Sequence, residues 1–313
     1  MFLVSGPDLV REACKAGIMA GLPVQNSRSY EELESWLTDI RASLDRHAAT
    51  GARVGPLAVN FGARFPQEQL ARYFGLCARF GVEYLITVGG DPTQLVLRAH
   101  DSGFKVFHDI TNIRFAEKAI KAGVDGLTCI GAGGGGHSGT ISHLALIRTV
   151  RAMFNGTIIM AGAISDGATV RAAEVLGADL AYMGTRFIAT VESMAPQDYK
   201  EMIVNQTSAG LAYTGKVAGV PANWLVASLE RVGLDLSGMP DAPDGKRHDT
   251  NLPDHLRPWR DIWSAGQGID VIHDIPTVEV LVRRLRQEYL AACATPNMAD
   301  AARLVDEVQS KSA

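Results

Sequence analysis

Between residues 18 and 187 of this chain, short apolar runs rich in Val, Ile and Leu alternate with longer stretches whose apolar residues recur at helical spacing. Unbroken apolar runs suit parallel strands buried on both faces, and connections long enough to hold a helix are what join such strands. The pattern predicts strands at Ile18 to Val24, Pro56 to Phe61, Glu83 to Val88, Lys105 to Ile110, Gly126 to Ile130, Thr157 to Gly162 and Leu180 to Met183. A βα series of this length makes a parallel sheet, closed or doubly wound. Closure is favoured because the repeat is short and regular in its second half. The glycine-rich segments also follow the carboxyl ends of strands, where barrel enzymes gather their sites. The expected class is therefore α/β, a TIM-type β/α barrel.

Seven strands are one short of eight. The opening MFLVSGPDLVREACKAG reads as a loop and then a helix starting near Ser5 as N-cap, with Pro7 in its first turn. The first strand is thus expected to precede Met1, or to be replaced by a segment from elsewhere. After Phe187 the alternation stops. Residues 188 to 230 keep a mostly helical pattern, and Gly233 to Arg260, rich in Pro, Asp, Gly and His, reads as a long exposed excursion. A final helix is expected from about Thr277 to Ala292, followed by a polar tail. The expected division is a barrel over 1–230 and a loop-rich, mostly helical C-terminal extension over 231–313, packed on it.

Composition narrows the function. With 313 residues, 47% of them hydrophobic, the chain can bury one large core with an appendage. Its 30 basic and 34 acidic residues are scattered and leave a net charge of −4, which disfavours nucleic acid and anionic membranes as partners. Cys14, Cys77, Cys129 and Cys293 lie far apart, which argues against a disulfide framework or structural zinc and fits a reducing cytoplasm. No apolar stretch is long enough for a membrane span, and no signal-peptide pattern opens the chain, so a cytoplasmic setting is expected.

Two strand ends carry the strongest chemical signal: AGAISDG from Ala161 and YMGTRF from Tyr182. A glycine-ended strand leading into a helix presents backbone N–H groups to an anion, and two on adjacent strands near the close of a barrel form a phosphate site. Gly162, Ala163, Gly184 and Thr185 are the expected phosphate ligands; the plainer alternative is that these glycines only make tight turns. A second signal is GAGGGGHSG, from Gly131 to Gly139. Consecutive glycines need something to order them, such as a flat ligand against the backbone. His137 then sits in a pliable loop above the barrel mouth, where an imidazole can accept a proton or steady a developing anion. His100, His108 and His143 lack such a setting and read as structural. With no carboxylate pair or metal-ligand cluster near the strand ends, hydrolytic and metal mechanisms fit poorly.

The run AGGGGHSG, with AGAISDG and YMGTRFIAT, resembles the nitronate monooxygenase family, formerly the 2-nitropropane dioxygenases. MFLVSGPDLV, AVNFG, HDITN, KAGVDGL, YTGKVAGVPANWL and WSAGQG extend the likeness in order along the chain. The resemblance implies FMN on a β/α barrel and His137 as catalytic base or substrate-orienting group. It implies flavin contacts from Asn60, Asp109, Gly135 and Gly136, and a phosphate end made by Gly162, Ala163, Tyr182, Met183, Gly184 and Thr185. Met1 stands where the family's first strand ends in a flavin-touching methionine, and Ser264, Gly266 and Gln267 are implied to approach the site. Two positions depart from the family pattern: Ile130 replaces a common Gln that reaches the flavin ring, and Gly133 replaces a common acidic residue.

The implied substrates are an alkyl nitronate or nitroalkane and dioxygen, giving a carbonyl compound and nitrite. A homodimer is among the expected partner states. An NAD(P)H-dependent flavin reductase of quinones or enoyl thioesters is a second reading, and a barrel binding a phosphorylated ligand without redox chemistry a third. Tyr213, Thr214, Asn223 and Trp224 read as a lid over the substrate side, or else, as do Trp224 and Trp259 in the favoured version, as core.

Overall fold

The computed structural model describes residues 1–62, 64–241 and 251–295. Its centre is a curled parallel sheet of seven strands: β1 (Ala20–Pro23), β2 (Leu57–Gly62), β3 (Tyr84–Val88), β4 (Lys105–Ile110), β5 (Gly126–Ile130), β7 (Thr157–Ala161) and β8 (Leu180–Tyr182). They lie side by side in chain order, with every neighbouring pair parallel. Each strand falls within a residue or two of its predicted position. The signal was physical: runs such as Leu57–Val59 and Leu85–Ile86 are buried because helices cover one face and the barrel interior the other.

The helices that follow the strands form the outer layer. They include α2 (Tyr30–Ala48), α3 (Gln67–Arg79), α4 (Thr93–Asp101), α5 (Ile113–Lys121), α6 (His143–Met153) and α7 (Gly167–Leu176). α2 turns Leu33, Leu37, Ile40 and Leu44 inward at helical spacing, and Ser29 caps its start by accepting from the Glu32 amide. α1 (Pro7–Lys15) precedes β1, as the opening sequence predicts, but its cap is Gly6 rather than Ser5. The Ser5 hydroxyl is spent elsewhere, donating to the Gly21 carbonyl at 3.1 Å.

Beyond Phe187 the structure departs from the helical expectation. A short α8 (Thr185–Ile188) and α9 (Gln197–Asn205) are followed by two strands, β9 (Leu211–Thr214) and β10 (Ala222–Leu225), before α10 (Val226–Glu230). β10 pairs antiparallel with β9 on one side and with β6 (Gly136–His137) on the other. This small sheet was hidden because β6 is two residues long and its partner lies more than eighty residues later, a pairing no local periodicity reveals. Trp224, fully buried in it, packs with Val217, Leu229 and Ile262. It is core, as the plainer reading held.

The final helix, α11 (Val278–Cys293), starts at Thr277, as predicted within a residue. It docks on α7 so closely that a Cβ on Gly167 would stand 2.2 Å from the Tyr289 nitrogen, and the Gly167 amide donates to Glu288 at 2.8 Å. Buried Arg186 donates to the Asp274 carbonyl at 2.9 Å, joining the end of β8 to the segment before α11. The centre of the exposed excursion, 242–250, and most of the polar tail, 296–313, lie outside the described residues. Among the described residues, no helix is long and apolar enough to cross a membrane.

Candidate active site at the carboxyl ends of the parallel strands

Alternation along each strand decides what the barrel mouth contains. Phe107 of β4, Thr128 of β5, Ile159 of β7 and Tyr182 of β8 all line an interior cavity of about 1320 Å³, so the residues two apart from them face inward too. By strand register, Asp109 stands beside Thr128, Asn60 beside Ile86, and Ala161 between Ile130 and Tyr182. Asn60, Asp109 and Tyr182, expected from separate motifs, thereby all face the barrel interior toward the carboxyl ends of their strands. The Tyr182 hydroxyl reaches across the mouth, 3.9 Å from where a Cβ on Gly21 of β1 would lie.

Above this layer the glycine loop folds down onto the ends of β7 and β8. A Cβ on Gly162 would meet the Gly134 backbone at 2.9 Å, and one on Gly135 would lie 2.9 Å from the Gly266 nitrogen and 3.3 Å from Thr185 Oγ1. Only glycine permits that approach, and Gly162 also has φ of +106°. Its neighbour Ala163 holds φ of +56°, a left-handed conformation costly for a residue with a Cβ. Met1 lies against the other strand end, its Cγ 3.7 Å from a Cβ placed on Gly184. The structure thus gathers Met1, Gly135, Gly162, Ala163, Gly184 and Thr185 in one place. Gly135 is exposed and Gly162, Ala163 and Gly184 are half-buried.

The expectation of free helix N-termini at these turns is not met. The positive end of α7 is already satisfied by the Asp166 carboxylate, which accepts from the Thr169 amide at 2.7 Å. α8 spans only four residues, too few for an appreciable dipole. Any phosphate grip must come from the turn amides themselves. Thr185 Oγ1 is also engaged, accepting from the Gly266 amide at 2.8 Å.

The protein itself orders the glycine loop. The Gln267 amide donates to the Gly133 carbonyl at 2.8 Å, and buried Asn223 donates from Nδ2 to the Gly134 carbonyl at 2.7 Å. The Tyr213 hydroxyl donates to the Ser138 carbonyl at 3.0 Å. The Gln267 side chain lies directly over Gly133. Hence Tyr213 and Asn223 pin the loop instead of forming a free lid, and His137 with Gly136 belongs to a strand paired with Ala222 and Asn223, not to a pliable loop. His137 is half-buried; its Nδ1 lies 3.4 Å from the Pro221 carbonyl and its ring abuts Trp259.

His143, read as structural, proves to sit inside the site. Its Nε2 lies 2.8 Å from the Ala161 carbonyl, and its ring fills the space beside both Gly131 and Gly162. The six-residue offset from His137 across a helix start gave no hint of this. His108 is structural as expected: buried, with Nδ1 2.7 Å from Thr87 Oγ1 and its pKa lowered by burial to about 4. The large cavity touches Met1, Tyr182 and Met183 but runs from there toward the amino ends of the strands, past Lys105 and Asp179. His137 and the glycine loop stand outside it, at the carboxyl face. Among the described residues, no group of three His, Cys, Asp or Glu could hold a metal.

A profile of the nitronate monooxygenase family matches residues 58–288, which run from β2 through the glycine loop and both candidate phosphate turns into α11. The chain belongs to the nitronate monooxygenase family. A nitronate monooxygenase from Pseudomonas aeruginosa is 30% identical over 62% of this chain and 59% of its own length. A (3aS,4S,5R,7aS)-5-hydroxy-7a-methyl-1-oxo-octahydro-1H-indene-4-carboxyl-CoA dehydrogenase from Rhodococcus jostii is 28% identical over 74% of this chain and 63% of its own length. The matches therefore span about three fifths of these relatives, 59% and 63%. A nitroalkane oxidase from Streptomyces ansochromogenes has the same fold, with a TM-score of 0.73 and 23% identity over 92% of this chain and 93% of that one.

Proposed function

We propose that the chain binds FMN at the carboxyl face of the sheet and oxidises alkyl nitronates, or the nitroalkanes that yield them, with dioxygen to a carbonyl compound and nitrite. The observation that carries this reading is the convergence of Gly134 on Gly162 and of Gly135 on Thr185, which draws the glycine loop of His137 onto both candidate phosphate turns. The residues present suit a flavin. Beside the closely packed glycine backbones lies a sealed carboxyl oxygen of Asp109 with no hydrogen-bond partner among the described residues. FMN, when bound, supplies the electron transfer between nitronate and dioxygen.

The chain's own residues do the rest. Gly162, Ala163, Gly184 and Thr185 would hold the phosphate through turn amides. Asn60, Asp109, Gly135, Gly136, Tyr182, Met183, Met1 and Gln267 would surround the remainder. His137, fixed by strand pairing, takes the acidic carbon proton of a neutral nitroalkane or steadies the nitronate oxygens. In this reading residues 1–230 form the cofactor-binding barrel and 231–313 its extension. Three buried thiols, Cys14, Cys77 and Cys129, each pushed up to about 12 by burial, suit a cytoplasmic setting, and a homodimer is part of the proposal.

The Rhodococcus relative, by name a dehydrogenase of a carboxyl-CoA substrate, supports a second reading: hydride chemistry on a thioester with a nicotinamide partner. Mixing the protein with NADH or NADPH without oxygen separates the two. Rapid bleaching of the flavin spectrum supports the second reading, and an unchanged spectrum until nitronate is added supports the first. For the first, adding nitronate in air should release nitrite, and His137→Ala should keep bound flavin while losing about 10²- to 10⁴-fold in turnover. A His137→Ala protein that turns over at the parental rate with full flavin content removes the proposed role.

A further inference from the structure

Asp109 is placed as a ligand-facing group would be, yet the site's resident side chains do not satisfy it. It lies near the carboxyl end of β4, inward by the same alternation that turns Phe107 into the cavity. Its Oδ1 is shut off from solvent and has no hydrogen-bond partner among the described residues. The groups that face it come from three other elements: the Thr128 hydroxyl on β5, which hydrogen-bonds the carboxyl, the Tyr182 phenol on β8, and the Met1 ammonium at the chain start. Thr128, Tyr182 and Met1 all border the large cavity, and Asp109 itself lines a small hollow beside it with Gly89, Gly90 and His108.

A carboxylate in such a setting loses its hydration without gaining a firm counter-ion, because burial drives the Met1 ammonium toward its neutral form as well. The neutral acid resolves the conflict. A protonated carboxyl has an O–H to donate, and the sealed oxygen needs a partner that the protein does not supply. Burial pushes the Asp109 carboxyl up to about 7, against the small opposing effects of Thr128 and the Met1 ammonium. A flat ligand lying over the mouth would exclude water further and strengthen the preference.

We propose that Asp109 keeps its proton at the barrel mouth and donates a hydrogen bond to an acceptor atom on the ring of the heterocycle bound there. The inference deepens the FMN reading and rests on it. It makes Asp109 a binding residue whose charge state gates affinity: once ionised, the carboxylate offers only acceptors to an acceptor.

The test is a titration of the ligand-free protein with FMN, followed by flavin fluorescence at pH values about one unit either side of 7, in parent, Asp109→Asn and Asp109→Leu. Because only the acid form donates, the parent Kd should rise about tenfold per unit above the Asp109 titration. Asp109→Asn, which keeps an N–H donor and cannot ionise, should bind within a few-fold of the parent at low pH and hold that affinity at high pH. Asp109→Leu should bind more weakly at every pH. Infrared difference spectra of ligand-free parent and Asp109→Asn, at neutral pH, should show a protonated carboxyl band in the parent alone. Flavin uptake with a pH-independent parent Kd, or absence of that band, overturns the Asp109 inference while leaving the FMN reading intact. No uptake by any variant at any pH overturns both, with the infrared band then marking a buried acid that has no flavin to meet.

Discussion

The imidazole of His137 and the indole of Trp259 meet edge to face, with ring centroids 5.0 Å apart and planes at 67°. Trp259 is held there at a cost. Its φ is +63°, left-handed for a bulky side chain, and it is fixed by a 2.8 Å bond from its amide to the Ile262 carbonyl and by Trp224 at 5.0 Å. Such strain survives only where the surroundings determine the conformation, and here they aim an aromatic wall at the candidate base. Trp259→Phe should keep turnover within a few-fold, while Trp259→Ala should lose about tenfold, in line with an aromatic contact of about 1 kcal/mol. In denaturant melts Trp259→Gly should be about 1 kcal/mol more stable than Trp259→Ala, since glycine adopts the left-handed backbone freely. Equal stability of the two small variants would show that no strain is stored.

His108 sets an acid limit on stability. Its folded pKa of about 4 lies below the ordinary 6.5, so between those values the unfolded chain binds more protons than the folded one. Its contribution is complete above pH 6.5 and is lost as pH falls toward 4. The loss amounts to about 3 kcal/mol. The raised carboxyl of Asp109 titrates with the opposite sign over the whole of this window, so the measure is variant against parent. Urea melts of His108→Gln should show a shallower fall in stability with acid than the parent. Parallel curves would refute the assignment.

Gly167 is where α11 closes onto the barrel. A methyl there meets main-chain atoms, the Tyr289 nitrogen at 2.2 Å and the Leu285 oxygen at 2.4 Å, which cannot move aside as a side chain would. Gly167→Ala should destabilise the protein by about 1 to 3 kcal/mol, against the usual gain from replacing a helical glycine. A stabilised Gly167→Ala protein, measured by thermal melting, would contradict the docking of α11.

What could be read from the sequence follows from the range of the interaction that fixes each part. The seven parallel strands were legible because burial on both faces writes itself into consecutive residues, as in Leu57–Val59. The extent of α11 was legible because the helical spacing of Val278, Leu281 and Leu285 is local. β6, β9 and β10 were not, since Ala222 finds His137 only after the chain has folded. The Ser5 cap failed because a carbonyl sixteen residues away on β1 competes for its hydroxyl. In the site, the strand-end glycines singled out Gly162 and Gly184 and the family resemblance Gly135, but neither pointed to the ring of His143 lodged between Gly131 and Gly162 or the wall made by Trp259. Those depend on side chains meeting across elements, which sequence spacing does not encode.

Everything proposed for the site depends on turn amides at the ends of β7 and β8 holding a phosphoryl group. Parallel binding titrations of the ligand-free protein with FMN and with riboflavin, which share the ring and differ in the phosphate, test that directly. Two charge-assisted hydrogen bonds to the phosphate predict that FMN binds at least about a hundredfold more tightly, with the advantage shrinking in a Gly184→Val protein. Equal affinity for the two, in the parent protein, would contradict the account.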